Sequence, residues 1–239
     1  MRALNGDGGG LAQNLSDALA QYGLIARGGF AFAGGQEAPA GPDGSPARAL
    51  VLVGHGGAPH WTKFCDWRAA RPHLADPLDS WSEEAVGSVA GAVAARAVFP
   101  SQKPYLPFQQ WAMRAEGLKP SPLGILMHPE YGLWHAYRAA LLFEESALAE
   151  LHALIQPPAE AIHLCDLCVG KPCLKSCPVD AYAADGFAYA ACRAHVGNAG
   201  GSVCREGGCL DRNACPHGAE YRYPAEMQAF HMAAFMRGA

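Results

Sequence analysis

Cysteine is the residue type whose spacing in this chain points to chemistry. The sequence has nine cysteines, and all but Cys65 fall in the C-terminal third: Cys165, Cys168, Cys173, Cys177, Cys192, Cys204, Cys209 and Cys215. Thiolates bind metal ions and redox clusters, and cysteines in a reducing compartment seldom form disulfides. The pattern therefore predicts a metal or redox centre in this third, whereas the lone Cys65 is expected to be buried and inert.

The first four of the clustered cysteines have a spacing that is typical of iron–sulfur proteins. Residues 165–178 read Cys-x2-Cys-x4-Cys-x3-Cys-Pro. Bacterial ferredoxins use Cys-x2-Cys-x2-Cys-x3-Cys-Pro, in which three cysteines bind one cluster and the fourth binds the other cluster of a pair. This chain has two additional residues before Cys173, in a segment that we expect to be looped out.

The second four cysteines, which begin at Cys192, also end in a Cys-Pro pair, Cys215-Pro216. Ferredoxin-type pairing would give two 4Fe-4S clusters: one bound by Cys165, Cys168, Cys173 and Cys215, the other by Cys177, Cys192, Cys204 and Cys209. A single cluster is the alternative. Structural zinc also remains open, although its frequent layout of two Cys-x2-Cys pairs is not met, since the chain has one such pair.

The residues before the cysteines alternate patterns of helix and strand, which predicts an α/β fold. We expect helices at residues 11–22, 61–71, 80–95 and 109–116, and strands at residues 49–54, 97–99, 124–128 and 137–143. Ser80 and Glu83 match a capping box. Pro157 and Pro158 interrupt a helical pattern over residues 144–155, so we place a domain boundary there. The expected domains are an α/β cofactor- or substrate-binding domain, residues 1–156, and a small ferredoxin-like iron–sulfur domain with a C-terminal helix, residues 157–239.

A second group of candidate residues lies between two predicted strands. It reads His128-Pro-Glu-Tyr131-Gly132-Leu-Trp134-His-Ala-Tyr-Arg138, and combines a histidine, flat aromatic rings and a cation. These residues are candidates for cofactor binding: His128, Tyr131, Gly132, Trp134 and Arg138.

This segment resembles the cobalamin-processing proteins of the methylmalonic aciduria and homocystinuria type C family, which carry His-Pro-x-x-Gly-x-Trp-x-x-x-Arg between apolar strands. Upstream, Asp76-Pro77-Leu78-Asp79 is similar to an Asp-Pro-Val-Asp element of the same family. The resemblance covers about residues 11–143. It implies a nitroreductase-like α/β sandwich that binds cobalamin and reductively removes its upper ligand.

The cysteine-rich part resembles instead the two-cluster tail of epoxyqueuosine reductase, a cobalamin enzyme, and of the reductive dehalogenases. Asp76 and Glu130 are candidates for the catalytic acid that this resemblance implies, and no catalytic residue is assigned. Together, the two resemblances imply an iron–sulfur oxidoreductase that delivers low-potential electrons to a cobalamin-like cofactor or substrate in the N-terminal domain. The alternatives are a dedicated ferredoxin-type electron carrier with a docking domain, a flavin-linked reductase, and a zinc-stabilised interaction protein.

Composition argues against two classes of binding partner, nucleic acids and membranes. The net charge of −4 leaves no basic stripe for a phosphate backbone, which argues against nucleic acid as the main partner. No run approaches the ~20 apolar residues that span a bilayer, so no membrane partner is expected. Residues 1–15 lack the features of a signal peptide, and we expect a cytoplasmic location. The expected partners are an electron-transfer protein and a corrinoid or other small molecule.

Overall fold

The computed structural model of the 239-residue chain describes residues 10–33, 37–158, 162–183 and 186–238. The chain divides into two compact units. The first takes the described residues of Met1–His55, Pro59–Gly117 and Ala136–Ala159, and the second those of Gly56–Ala58, Leu118–His135 and Glu160–Ala239. The second unit thus combines the cysteine-rich region with two earlier segments.

The first unit contains a four-stranded sheet. Its strands are β1 (Ile25–Ala31), β2 (Ala49–Gly56), β3 (Arg96–Val98) and β6 (His135–Phe143), and their order across the sheet is β1-β2-β6-β3. Four helices accompany them: α1 (Leu11–Ala20), α2 (Trp61–Ala69), α3 (Pro77–Ala92) and α4 (Phe108–Glu116). The central strands form its core, because residues 49–53 and 139–143 are almost completely buried. Strands that are buried on both faces have continuous apolar runs, as these two do.

Two consecutive glycines shape the edge strand β1. The register of β1 against β2 shifts between Ala26 and Gly29, as in a β-bulge. A Cβ on Gly28 would lie 2.6 Å from the carbonyl oxygen of Ala115 in α4, and one on Gly29 would overlap the carbonyl oxygen of Leu50. Glycine is therefore required at both positions for α4 and β2 to approach the strand so closely.

The second unit consists of short elements. It contains two strand pairs, β4 (Lys119–Pro120) with β5 (Leu126–Met127) and β7 (Tyr182–Ala183) with β8 (Gly186–Phe187). Its helices are α5 (Leu164–Leu167), α6 (Tyr189–Gly197), α7 (Ser202–Gly207), α8 (Leu210–Asn213) and α9 (Ala225–Arg237). Three of the cysteines, Cys165, Cys173 and Cys215, pack in one buried cluster with Leu123, Met127 and Leu133.

Three expectations about helices were wrong. Helix α3 begins at Pro77 rather than Ser80, because proline suits the first helical position. The Ser80 hydroxyl donates to the carbonyl oxygen of Asp76 instead of forming a capping box. Residues 144–155 form a 3₁₀ turn, Glu145–Ala147, and further turns; only Leu151 is buried there, so the segment lacks the apolar face that stabilises a helix.

The strand predicted at residues 124–128 is limited to Leu126–Met127, which pairs with β4 outside the main sheet. Strand β1 was not predicted. Among the described residues, no helix is both long and apolar enough to cross a membrane.

Candidate functional site

The structure brings the eight clustered cysteines together as two sets of four, each lining its own pocket in the second unit. The first cysteine set comprises Cys165, Cys168, Cys173 and Cys215. The second cysteine set comprises Cys177, Cys192, Cys204 and Cys209. Each set thus takes three cysteines from one sequence run and one from the other, with Cys177 and Cys215 exchanged.

The first cysteine set is built on a tight loop after α5. Cys165 lies on α5, Cys168 follows it, and Cys173 lies on the 3₁₀ turn Pro172–Leu174. Between them the backbone turns through positive φ angles at Gly170 (81°) and Lys171 (40°), which is how the two additional residues are accommodated. The Lys171 ammonium donates to the carbonyl oxygen of Cys165 over 2.6 Å and so closes this loop.

The second cysteine set is spread over helices. Cys192 lies on α6, Cys204 on α7, and Cys209 directly before α8. The rings of Tyr182 and Phe187, stacked with centroids 4.7 Å apart, line the same pocket. This pocket has about 720 Å³ of empty space, part of it open to solvent, against about 300 Å³ for the first.

Burial and mutual repulsion favour the neutral form of the thiols of Cys165 and Cys192. Burial, together with the charges of other cysteines in the same set, raises the pKa of both Cys165 and Cys192 to about 11. Free thiols at these positions therefore stay protonated at neutral pH. A positively charged centre that binds four thiolates would remove both the repulsion and the protons, so the donor set suits a thiolate-bound metal centre.

A histidine beside the first cysteine set adds a second observation. His217 lines the pocket of that set, and its Nε2 is buried without a hydrogen-bond partner among the described residues. A buried orphaned nitrogen is unusual and calls for a partner that the protein itself does not supply. A sulfur-rich centre in the pocket would offer it an acceptor.

No group of three or more His, Cys, Asp or Glu side chains that could hold a metal ion is found within the described residues. The metal content expected from the cysteine spacing accordingly stays a prediction.

Arg193 and Arg205, which directly follow Cys192 and Cys204, bind backbone carbonyl groups. Arg193 donates to the carbonyl oxygens of Met236 and Gly238 at the end of α9. Arg205 donates to those of Val196 and Asn198 at the end of α6. Both side chains therefore stabilise helix ends.

The proposed cofactor-binding residues are divided between the units: His128, Tyr131, Gly132 and Trp134 lie in the second, and Arg138 lies in the first. The imidazole Nδ1 of His128 accepts the N–H groups of Glu130 and Tyr131, each over 3.1 Å, and its ring stacks on Tyr131. His128 thus holds the turn that carries the motif.

Gly132 brings this turn against the first cysteine set. Its φ is +57°, and a Cβ there would overlap the carbonyl oxygen of His217, two residues after Cys215. A Cβ on Gly218 would in turn overlap the carbonyl oxygen of Tyr131. The two glycines let these backbones touch.

Trp134 is completely buried, and its ring faces the Arg212 guanidinium at 4.4 Å. The same guanidinium lies 4.8 Å from the centre of the Tyr223 ring, and Arg212 also donates to the carbonyl oxygen of Leu133. Trp134 therefore stabilises this unit by packing against a cation.

Among the acid candidates, Glu130 is exposed and accepts the Tyr221 hydroxyl over 2.7 Å. In the first unit, burial raises the pKa of Asp79, while the charge of Arg138 opposes that shift. Asp76 lies at the start of α3. These contacts assign no catalytic role.

Three further features were not anticipated. Asp211, two residues after Cys209, is buried in the second unit. His217 directly follows the Cys215-Pro216 pair, and this position beside a predicted ligand is the sequence signal that could have identified it. In the first unit, the Arg27 guanidinium makes two hydrogen bonds of 2.7 Å to the Glu116 carboxylate, which also accepts the Tyr137 hydroxyl. Because these partners are far apart in the sequence, no local pattern could have shown the contact.

Neither a scan against protein-family models nor a search of curated proteins gives a match. A search of solved structures finds the C. elegans B12-trafficking protein CblC, a human MMACHC homologue, at 12% sequence identity and a TM-score of 0.49. The alignment covers 95% of this chain and 96% of that one. We draw neither fold nor function from a likeness at this level, so the nitroreductase-like fold and cobalamin binding stay predictions.

Proposed function

We propose that this chain is an iron–sulfur oxidoreductase. Its second unit would bind two 4Fe-4S clusters and deliver low-potential electrons to a cobalamin-like cofactor or substrate bound with the help of the His128–Arg138 segment. The observation that carries the proposal is the division of eight cysteines into two sets of four around two pockets. In this division each cysteine run gives one cysteine to the other set, as is typical of two-cluster ferredoxins.

The chemistry of the donor set favours clusters over single zinc ions. Zinc needs four sulfur atoms at about 2.3 Å from one point. The four thiolates of a cubane cluster bind four different irons, so they surround a pocket rather than converge on one ion. When bound, such clusters exchange single electrons at potentials within about −700 to +450 mV.

The chain's own residues would hold and shield these centres. Leu123, Met127 and Leu133 cover the first cysteine set, and Tyr182 with Phe187 covers the second. Apolar groups of this kind limit the access of water to sulfur ligands, and burial is one determinant of a cluster's potential.

Support for the cobalamin part comes from the sequence resemblance and from one contact. The turn that carries His128 and Gly132 touches the backbone of His217, next to Cys215. A ligand held by this turn would therefore lie close to the first cysteine set. A dedicated electron carrier and a flavin-linked reductase remain the alternatives that the experiments must separate.

The first experiment measures iron and sulfide in anaerobically purified protein, together with its visible spectrum. We expect about eight irons per chain in the wild type and about four in Cys173→Ser and in Cys204→Ser. The matched control, Cys65→Ser, should keep the wild-type content. Zinc in place of iron, or equal iron in all four proteins, would contradict the proposal.

The exchanged cysteines test the pairing itself. Cys177→Ser should remove the same cluster signal as Cys204→Ser. Cys215→Ser should remove the same cluster signal as Cys173→Ser. Electron paramagnetic resonance of the reduced proteins distinguishes the two signals. If Cys177→Ser instead reproduces the spectrum of Cys173→Ser, the pairing is wrong.

Cobalamin binding is tested by titrating the protein with cobalamin and recording the shift to the base-off spectrum. We expect the shift in the wild type and in the exposed control His73→Ala, and a weaker one in His128→Ala. Clusters without any shift would favour the electron carrier, and bound flavin in the purified protein would favour the flavin-linked reductase.

A further inference from the structure

The second cysteine set is more exposed than the first. Cys177, Cys192 and Cys209 of the second set are partly exposed, whereas three members of the first set are buried beside a partly exposed Cys168. The second pocket has about 720 Å³ of empty space, part of it open to solvent, against about 300 Å³ for the first. A cluster bound by the second set would therefore be the one that a protein at the surface of this unit can approach more closely.

Four aromatic side chains extend from the second pocket to the surface of the same unit. We call them the aromatic rim: Tyr182, Phe187, Tyr189 and Phe235. The Phe187 ring centroid lies 4.7 Å from that of Tyr182 and 6.4 Å from those of Tyr189 and Phe235. Tyr182, Phe187 and Phe235 line the pocket, while Phe187 and Tyr189 remain 41% and 40% exposed. Large apolar side chains that are exposed as a group indicate an interaction surface.

Hydrogen bonds fix the aromatic rim against the end of α9. The Tyr189 hydroxyl donates to the carbonyl oxygen of Gly238 over 2.5 Å. The Arg193 guanidinium donates to the Tyr189 hydroxyl oxygen and to the carbonyl oxygen of Met236, each over 2.8 Å. Because these side chains are already ordered, a partner that binds here removes little of their conformational freedom.

The aromatic rim carries positive charge in a chain whose net charge is −4. Arg193 lies on α6, which contains no acidic residue. The exposed Arg237 is the last residue of α9, two positions after Phe235. Local positive charge of this kind steers and orients an acidic partner, even though the protein as a whole would repel it.

A competing surface lies beside the first cysteine set, where Leu167 and Val169 flank Cys168 and are 65% and 96% exposed. Both of these side chains are aliphatic. Interfaces are enriched in aromatic residues and Arg, and binding hot spots are depleted in Leu and Val. The aromatic rim, with its arginines, therefore has the composition of a binding surface, and the Leu167–Val169 loop does not.

We propose that the aromatic rim, with Arg193 and Arg237, is the docking surface for a small one-electron carrier protein that has an acidic face. This inference rests on the proposed function. In the step that docking permits, the reduced carrier loses one electron and the cluster of the second set gains it, and no bond forms or breaks. Electron-transfer encounters bury less than about 1,200 Å² in total, so a compact patch suffices.

The test measures the rate constant of electron exchange with a plant-type ferredoxin of acidic surface, by anaerobic stopped flow in the direction that is downhill. The variants are Phe187→Ser and Arg237→Glu. The matched controls are Val169→Ser, at an exposed apolar residue beside the first set, and Lys119→Glu, at an exposed cation of β4. Reduction by dithionite, which needs no docking surface, is recorded for every protein, beside its iron content.

We expect Phe187→Ser to slow the exchange with ferredoxin about tenfold or more, as for the loss of an interface hot spot. Arg237→Glu should slow the exchange at low salt and weaken its dependence on ionic strength, because salt screens the attraction between surface charges. Both variants should keep the wild-type rate with dithionite, and both controls should keep the wild-type rates with ferredoxin and dithionite alike. Wild-type exchange in both variants, or equal slowing in the controls, overturns the proposal.

Should Phe187→Ser lose iron, Arg237→Glu decides the matter. Slower exchange with ferredoxin but not with dithionite supports the proposal, and unchanged exchange overturns it. A wild-type dimer that Phe187→Ser abolishes without any effect on ferredoxin would show that a second copy occupies the rim, which also overturns it. A wild type that holds about eight irons but exchanges no electrons with ferredoxin refutes only the docking surface, whereas a wild type without iron refutes the proposed function as well.

Discussion

Substituting Gly132 by alanine should weaken the second unit and its first cysteine set together. The glycine has a φ of +57°, and a Cβ would overlap the carbonyl oxygen of His217. Because His217 follows Cys215-Pro216, a displacement of its backbone moves a predicted cluster ligand. Gly124 provides the matched control, since its φ is +74° and a Cβ added there would have no atom within 4 Å.

The expected magnitude follows from two separate costs. A left-handed backbone costs a residue with a Cβ about 1–2 kcal/mol, and alanine recovers about 0.4–1 kcal/mol by restricting the unfolded chain. Gly124→Ala should therefore destabilise by about 1 kcal/mol. Gly132→Ala adds a steric cost of about 1–3 kcal/mol, typical of overpacking, for a total of about 2–4 kcal/mol.

The assay is urea denaturation of the anaerobic protein followed by circular dichroism, with iron measured on the same samples. We expect Gly132→Ala to lower the midpoint well beyond Gly124→Ala and to lose the iron of the first set preferentially. Equal midpoints in the two variants would refute the argument that the backbone contact with His217 matters. Preferential loss of iron from the second set would refute its link to Cys215.

Two further predictions concern buried polar groups. Burial raises the pKa of Glu116, but the charge and hydrogen bonds of Arg27, with those of Tyr137 and Gly28, lower it overall below 4.5. Its stabilising contribution is therefore present above that pH and lost as pH falls through the folded pKa. Glu116→Gln should cost about 3–5 kcal/mol at pH 7, as for a broken buried ion pair. The difference from the wild-type denaturation midpoint should shrink as the pH falls through the lowered pKa of Glu116, and a constant difference would contradict this. His217→Leu should lower the midpoint potential of the first cluster, because hydrogen bonds to cluster sulfurs raise the potential. The control His195→Leu, at the second pocket, should leave the potential of the first cluster unchanged. Redox titration of the two variants measures both effects.

Sequence alone could locate the central strands because their signal is local. Residues 49–53 of β2 and 139–143 of β6 are continuous apolar runs, and both are buried as expected. Strand β1 was missed because Arg27, Gly28 and Gly29 interrupt the apolar pattern. Each of these residues is explained by a distant partner: Glu116 for Arg27, α4 for Gly28, and Leu50 for Gly29.

The same distinction applies to the candidate site. Cysteine spacing predicts a centre, yet it does not by itself show which cysteine leaves its run; that assignment came from the ferredoxin pattern. Nothing near Asp211 in sequence indicates that it accepts N–H groups from Ser176 and Cys177, since the contact depends on the fold of both runs. Long-range polar contacts of this kind become visible only in three dimensions.

Removal of the clusters should unfold the second unit and spare the first. The buried core around Leu123, Met127 and Leu133 includes three predicted cluster ligands, and the surrounding helices and strands are short. A ligand that binds the folded state alone contributes its binding free energy to stability. After anaerobic iron chelation, we expect faster hydrogen–deuterium exchange in residues 118–135 and 162–183, with protection retained in β2 and β6. Because the core of the first unit contains no cluster ligand, a simultaneous loss of protection in β2 would contradict this. Unchanged exchange throughout would mean that the cysteine-rich unit folds without its metal.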